Sequence, residues 1–252
     1  VKLEDYISSL PPSIISGDEV QLLDDSLRDI LRFAELGKGE TFCHIGCGTG
    51  GSLVIAEREF GANAVGIDND PQKILQAKNT ISKEGLKNSR AVCEDALKAD
   101  ISDADVILFW FSDAEIVGPM LEKFSKLNDG ARIVTIFDPL PGVHPDMVRF
   151  PYILHRTPFK TAKSLREQLI AIFDTECMDF TTAWEHAEMY TKAIGSPDAG
   201  NDRFLTILQT VTIWINAKKL GLSCTDEMPA PIKTYVDILH NFFGIEVKHL
   251  LE

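Results

Sequence analysis

The chain has 252 residues, 44% hydrophobic and 25% charged, the balance of a globular protein long enough to bury its own core. That excludes a disulfide-stapled mini-protein, a disordered chain and a collagen-like repeat, and its longest apolar runs fall far short of a membrane span. Acidic residues outnumber basic ones by 38 to 25, a net charge of −13, which argues against a nucleic-acid partner and suits a basic one. Five cysteines, odd in number and without a C-x-x-C pair, read as reduced thiols of a cytoplasmic protein. The six histidines show no metal-ligand spacing, so no metal site is expected. No basic, apolar leader opens the sequence, and secretion is not expected.

In chain order, Pro11-Pro12 breaks an entry segment, Asp18 is a candidate N-cap, and Val20 to Leu36 carries apolar residues at helical spacing. Gly37-Lys38-Gly39 would stop that helix. Strand and helix periods then alternate. Strands are expected at Thr41–Ile45, Ala64–Ile67, Ser89–Cys93, Val106–Phe111 and Arg132–Phe137. Helices are expected at Ser52–Phe60, Pro71–Glu84 and Ile116–Leu127. This alternation predicts an α/β fold, a parallel sheet with helices on both faces. After Pro139 the texture changes to a proline-rich stretch with one strand-like segment, Tyr152–His155. From Lys160 onward the signal is purely helical, with four apolar stripes best read as core. The expected division is a sheet domain over 1–158 and a helical region over 159–252, serving as a substrate cap, a partner surface or a homodimer contact.

The chemically informative run is His44-Ile45-Gly46-Cys47-Gly48-Thr49-Gly50-Gly51, where the first strand turns into a helix. Glycines there let backbone approach a ligand closely, and a helix start offers free N–H groups. The second strand ends in Gly66-Ile67-Asp68, an acid placed to accept hydrogen bonds from ribose hydroxyls. Gly46, Gly48 and Gly51 also satisfy G-x-G-x-x-G, which keeps a nicotinamide dinucleotide in view. Glu94-Asp95-Ala96, just after the third strand, favours a different cofactor. Glycine loop, Asp68 and Asp95, in this order, resemble the class I S-adenosylmethionine-dependent methyltransferases over roughly residues 15–140. The resemblance implies a Rossmann-like fold and S-adenosyl-L-methionine as cofactor. It implies a binding set of His44, Gly46, Cys47, Gly48, Gly50, Asp68, Asn69, Asp95 and Ala96. The sequence departs from the family at His44, where Asp or Glu is usual.

The segment from Asp100 to Pro139 further resembles the small archaeal protein-lysine methyltransferases and, more distantly, the disruptor-of-telomeric-silencing type. This implies lysine of a basic protein as methyl acceptor. An apolar channel would keep the amine neutral, drawing on Phe109, Trp110 and Phe111, at least one of which must be plain core. Ser112, Asp113 and Asp138 are the candidate catalytic residues, at the carboxyl ends of the fourth and fifth strands. Asp113 serves equally well as an N-cap. Asp138-Pro139-Leu140-Pro141 resembles the D-P-P-Y motif of amino-group methyltransferases but follows a different strand, and reads mainly as a rigid turn. His144, His155, His186 and His240 are not selected as bases by any spacing. Trp184 and Trp214 read as core of the helical region. Two alternatives remain open: a small-molecule methyltransferase with a helical lid, and a catalytically inactive interaction module whose His44 marks a disabled site.

Overall fold

A computed structural model describes residues 22–111, 113–194 and 202–244. The expected Asp18 cap, the Pro11-Pro12 break and the start of the first helix at Val20 lie outside these residues. Helix α1 (Asp24–Phe33) buries Leu27, Ile30, Leu31 and Phe33 along one face. It ends earlier than Gly37 would dictate. Glu35 adopts φ 54°, the Leu36 N–H donates to the Leu31 carbonyl at 3.0 Å, and the Glu35 N–H donates to that of Arg32. This is a Schellman ending with glutamate where glycine usually sits.

Seven strands then form one sheet: β1 (Thr41–Ile45), β2 (Asn63–Asp68), β3 (Ser89–Cys93), β4 (Val106–Phe109), β5 (Arg132–Ile136), β6 (Met147–Arg149) and β7 (Tyr152–Arg156). Their order is β3-β2-β1-β4-β5-β7-β6. The first five run parallel, while β7 is antiparallel to β5 and to β6. This is the Rossmann-like class I methyltransferase sheet. The order reverses between β1 and β4, so their carboxyl ends frame the crevice where open α/β sheets bind ligands.

Helices α2 (Gly51–Phe60), α3 (Pro71–Lys83) and α4 (Ala114–Phe124) cover the sheet. Beneath them Ile45, Ile67, Ile107, Phe109, Met120, Phe124 and Ile133 form a continuous core. Fully burying each such side chain contributes about 1.5–3 kcal/mol. Strand β4 stops at Phe109, short of the expected Phe111. Its last pairings are Ile45 with Phe109 and Leu108 with Val134; β1 then turns away into its glycine loop, leaving Trp110 and Phe111 no strand to pair with. The hairpin partner β6 was not expected, because three residues are too few to show a period.

The compact unit around the sheet runs from Leu23 to Ile172. Helix α5 (Leu165–Phe173) holds to it through Gln168, a buried side chain whose Nε2 donates to the carbonyls of Leu140 and Val143 at 2.6 and 2.7 Å. A second unit contains α6 (Phe180–Ile194), α7 (Asp202–Lys219) and α8 (Ala230–Phe243). The helical reading of this region holds. Phe204, Val211, Ile213, Trp214 and Ile215 of α7 are buried, and Thr206 on α7 donates to Thr191 on α6 at 3.0 Å.

Two cysteines correct the expectation of free thiols. Cys177 and Cys224 form a disulfide, their Cα atoms 4.9 Å apart. The cause is a short backbone bridge at Met178 and Ser223, which aligns residues 47 apart in sequence and which spacing alone does not reveal. Cys43, Cys47 and Cys93 are free. Among the described residues, no helix is long and apolar enough to cross a membrane.

Candidate functional site

The site is assembled where β1 hands over to α2. Beyond Ile45, the N–H groups of Gly46 and Cys47 both donate to the Ile67 carbonyl of β2, at 2.7 and 3.0 Å. The loop is therefore folded back over the second strand. Gly48 has φ +53°, a region that disfavours side chains, and a Cβ built on it meets nothing within 4 Å. The loop leaves open space above its backbone, as a cradle for a ligand must. The Gly48 N–H donates to Asp68 Oδ2 at 2.9 Å. Gly50 precedes α2 without any side-chain cap, so the first N–H groups of that helix keep no helical partner.

Asp68 is half-buried at the end of β2. Its Oδ2 holds the glycine loop, and its Oδ1 accepts the Asp70 N–H at 3.0 Å. Each oxygen retains a lone pair, enough to receive a ribose diol. Asn69 is exposed on the turn that follows, beside Cys93, whose thiol approaches the Asn69 carbonyl at 3.8 Å. The turn after β3 is stitched to the same strand end, the Glu94 N–H donating to the Asp68 carbonyl at 3.0 Å. Asp95 is exposed and shapes this turn: its Oδ1 accepts the Leu97 N–H, and its carbonyl accepts those of Lys98 and Ala99, each at 2.9 Å.

His44 is turned inward. Its Nδ1 lies 2.7 Å from Ser52 Oγ on α2, and burial pushes its pKa down to about 4 despite the nearby Asp68. The ring is neutral at pH 7, so it neither repels a cation nor supplies the negative charge that an acid would. Cys47 is also withdrawn: its thiol is buried and pushed up to about 12, leaving it neither nucleophilic nor free to reach a ligand.

The candidate catalytic residues meet different fates. Ser112 lies outside the described residues. Asp113 is the N-cap of α4, accepting the Glu115 N–H at 2.8 Å, the structural role that competed with catalysis. Asp138 follows β5 at the same edge of the sheet, reached by solvent yet walled by protein, and this desolvation raises its carboxyl above the ordinary range. The preceding Phe137 has φ +70°, strained for an aromatic residue, with its N–H on the Pro151 carbonyl at 2.8 Å. Of the three aromatics after β4's start, Phe109 is core. Phe111 stacks on it at 4.9 Å, and a Cβ built on Gly46 would lie 3.3 Å from its Cζ, so its ring borders the glycine loop. Trp110 is half-buried beside it. Among the described residues, no group of three or more His, Cys, Asp and Glu could hold a metal ion.

Lys123 was not found by sequence reading. From α4 its Nζ donates to the carbonyls of Ala96, Leu97 and Ala99 at 3.0, 3.1 and 2.5 Å, fixing the turn that Asp95 opens. No motif announces such a contact, since it joins a helix to backbone 24–27 residues away. Replacing Lys123 with methionine keeps the packed stem and removes the bonds. The expected loss is about 1 kcal/mol, or about five-fold in affinity for S-adenosylhomocysteine by calorimetry. Unchanged affinity would show that the turn holds without it.

Residues 44–147 match the family model described as the ANTKMT methyltransferase domain. An RNA methyltransferase from Salinibacter ruber, solved with S-adenosyl-L-homocysteine, is similar in structure, with a TM-score of 0.53 and 22% identity over 58% of this chain and 99% of its own. A precorrin-8w decarboxylase from Methanobacterium thermoautotrophicum is similar at TM-score 0.39 and 28% identity, over 44% of this chain and 61% of its own. The chain thus spans less than two thirds of the latter protein. The open glycine cradle, the two-handed Asp68 and the uncapped helix start fit a nucleoside joined to an amino acid. From His44 to Met147 the chain thus matches a methyltransferase domain, set on a sheet of the Rossmann-like class I methyltransferase fold.

Proposed function

We propose that this domain methylates a lysine side chain of a basic protein. The observation that carries the reading is the charge of the sheet's carboxyl edge. Loops and helix starts after β2, β3, β4 and β5 present Asp70, Glu94, Asp95, Asp113, Glu115 and Asp138, all but the half-buried Asp70 exposed. Such an edge attracts an ammonium-bearing acceptor and repels a polyanion such as RNA. The Asp100–Pro139 resemblance to protein-lysine methyltransferases supports the same acceptor.

The cofactor, when bound, supplies an electrophilic methyl group on a sulfonium whose leaving group is a neutral thioether. The chain's own residues must then align the amine and free its lone pair. Trp110 and Phe111 give the approach an apolar wall, which disfavours the charged ammonium. Asp138 accepts a hydrogen bond from that ammonium, and its open side lets the released proton pass to water. The amine's lone pair would then be free to take the methyl group from a cofactor that the glycine loop, Asp68 and Asp95 would hold.

Asp68 is the residue on which the site turns, because it holds the loop and faces the ribose. Asp68→Ala should weaken S-adenosylhomocysteine binding at least about 100-fold, the sum of two lost charge-assisted hydrogen bonds. Calorimetric titration of both proteins checks this, with circular dichroism confirming that the variant folds. Incubating the wild type with methyl-labelled cofactor and lysine-rich proteins should yield methyl-lysine on hydrolysis. Label found in RNA or in a small molecule would replace the lysine reading.

A further inference from the structure

A bound S-adenosylmethionine has an ammonium group at its methionine end, and the residue expected to face it in this fold is an acid. Here that residue is His44, which is neutral and committed to Ser52. The structure brings another carboxylate to the loop. Helix α1 runs alongside α2 in the same direction: Arg28 grips Glu59 at 2.9–3.0 Å near the far end of α2. Four residues earlier, Asp24 therefore falls beside the start of α2. Its Oδ1 lies 3.8 Å from the position of a Cβ built on Gly51, the first residue of that helix.

Asp24 is exposed, and among the described residues it makes no hydrogen bond or ion pair. The nearest cation of its own helix is otherwise engaged, Arg28 pairing with Asp25 and Glu59. The Asp24 carboxylate is thus left uncommitted where the glycine loop enters its helix. The adjacent N–H groups of Gly51 and Ser52 are donors suited to a carboxylate. Donors and an anion side by side are what a zwitterionic amino acid requires.

We propose that Asp24 receives the ammonium of the cofactor's methionine end, replacing from α1 the acid that β1 lacks. The assignment rests on the S-adenosylmethionine reading of the site. Its test uses two probes that share the adenosine part: S-adenosylhomocysteine, which carries the amino-acid end, and 5′-methylthioadenosine, which lacks it. Titrated calorimetrically, Asp24→Asn should weaken S-adenosylhomocysteine about ten-fold through loss of a charge-assisted hydrogen bond. Its affinity for 5′-methylthioadenosine should stay within about two-fold, and Asp24→Glu should recover part of the loss. Equal weakening of both probes would mean that Asp24 acts only through the loop's shape, which overturns the assignment. Unchanged binding of both by Asp24→Asn also overturns it while leaving the cofactor reading intact. Failure of the wild type to bind either probe would remove the cofactor reading and this assignment with it.

Discussion

Arg132→Ala should destabilise the sheet unit by about 3 kcal/mol, toward the lower end of what removing one partner of a buried ion pair costs. Arg132 opens β5 with only 7% of its surface exposed. One terminal nitrogen donates to the Ala34 and Glu35 carbonyls at 3.0 and 2.9 Å, and the other to Glu40 Oε1 at 2.6 Å. A cation is thereby fixed against the carbonyl end of α1, where the helix dipole favours it. Removing it strands those carbonyls and the Glu40 carboxylate together. Part of the native cost is already present, because the Arg132 Nε is buried without a partner among the described residues. Burial pulls the Glu40 carboxyl upward, but hydrogen bonds from Arg132 and the Gly37 N–H outweigh it and leave the group below its ordinary value. A depressed carboxyl stabilises the fold above the unfolded pKa and loses that contribution as pH falls through the folded one. Urea denaturation at pH 7 measures the loss, with Arg132→Met as a volume-matched control that should cost less. A change under about 1 kcal/mol for the alanine variant would show the pair to be dispensable. The same helix α1 brings Asp24 to the start of α2.

How far the sequence foretells this arrangement depends on the range of each interaction. The glycine loop and Asp68 stand out because their conformations are local: positive φ at Gly46, Gly48 and Gly50 selects glycine at those positions. Strands β1 to β3 are legible for a similar reason, each being bounded by turn residues and followed by a recognisable helix or turn. Side-chain direction is not local. Nothing near His44 says that its ring turns toward Ser52; that follows from packing β1 under α2. The Asp113 cap and the catalytic reading of Asp113 make identical demands on the sequence; the cap becomes visible only in the 2.8 Å bond from the Glu115 N–H. Lys123 and the Cys177–Cys224 disulfide escape altogether, because each joins elements whose adjacency is a product of the tertiary fold.

Two buried histidines should make the protein sharply acid-sensitive well above the carboxylate range. His44 and His155 are both held down to about 4, chiefly by burial. Asp68 opposes this at His44. At His155, Asp146 opposes it, while His144 acts both ways, its charge adding to it and its backbone hydrogen bond opposing it. His155 is wholly buried on β7, its Nε2 accepting the Leu140 N–H at 3.2 Å. In the unfolded chain both rings return to the ordinary histidine value. Between about pH 6.5 and 4 the unfolded state therefore binds protons that the folded state refuses, so stability falls as pH falls through that window. From pH 7 to pH 5 each ring should contribute a loss of about 2 kcal/mol, about 4 kcal/mol together, against a total stability of 5–15 kcal/mol for a typical domain. Urea denaturation at the two pH values tests this with His44→Gln and His155→Gln, neither of which titrates there. Each single variant should show about half the wild-type pH dependence, and the double variant little of it above pH 5. Variants with the wild-type slope would place the acid sensitivity elsewhere. The same neutrality governs binding. Above pH 5 His44 adds no positive charge at the start of the glycine loop. S-adenosylmethionine affinity should therefore hold level from about pH 7, where the cofactor's amino group is charged, to about pH 5, and decline only as the Ser52-bound ring begins to protonate.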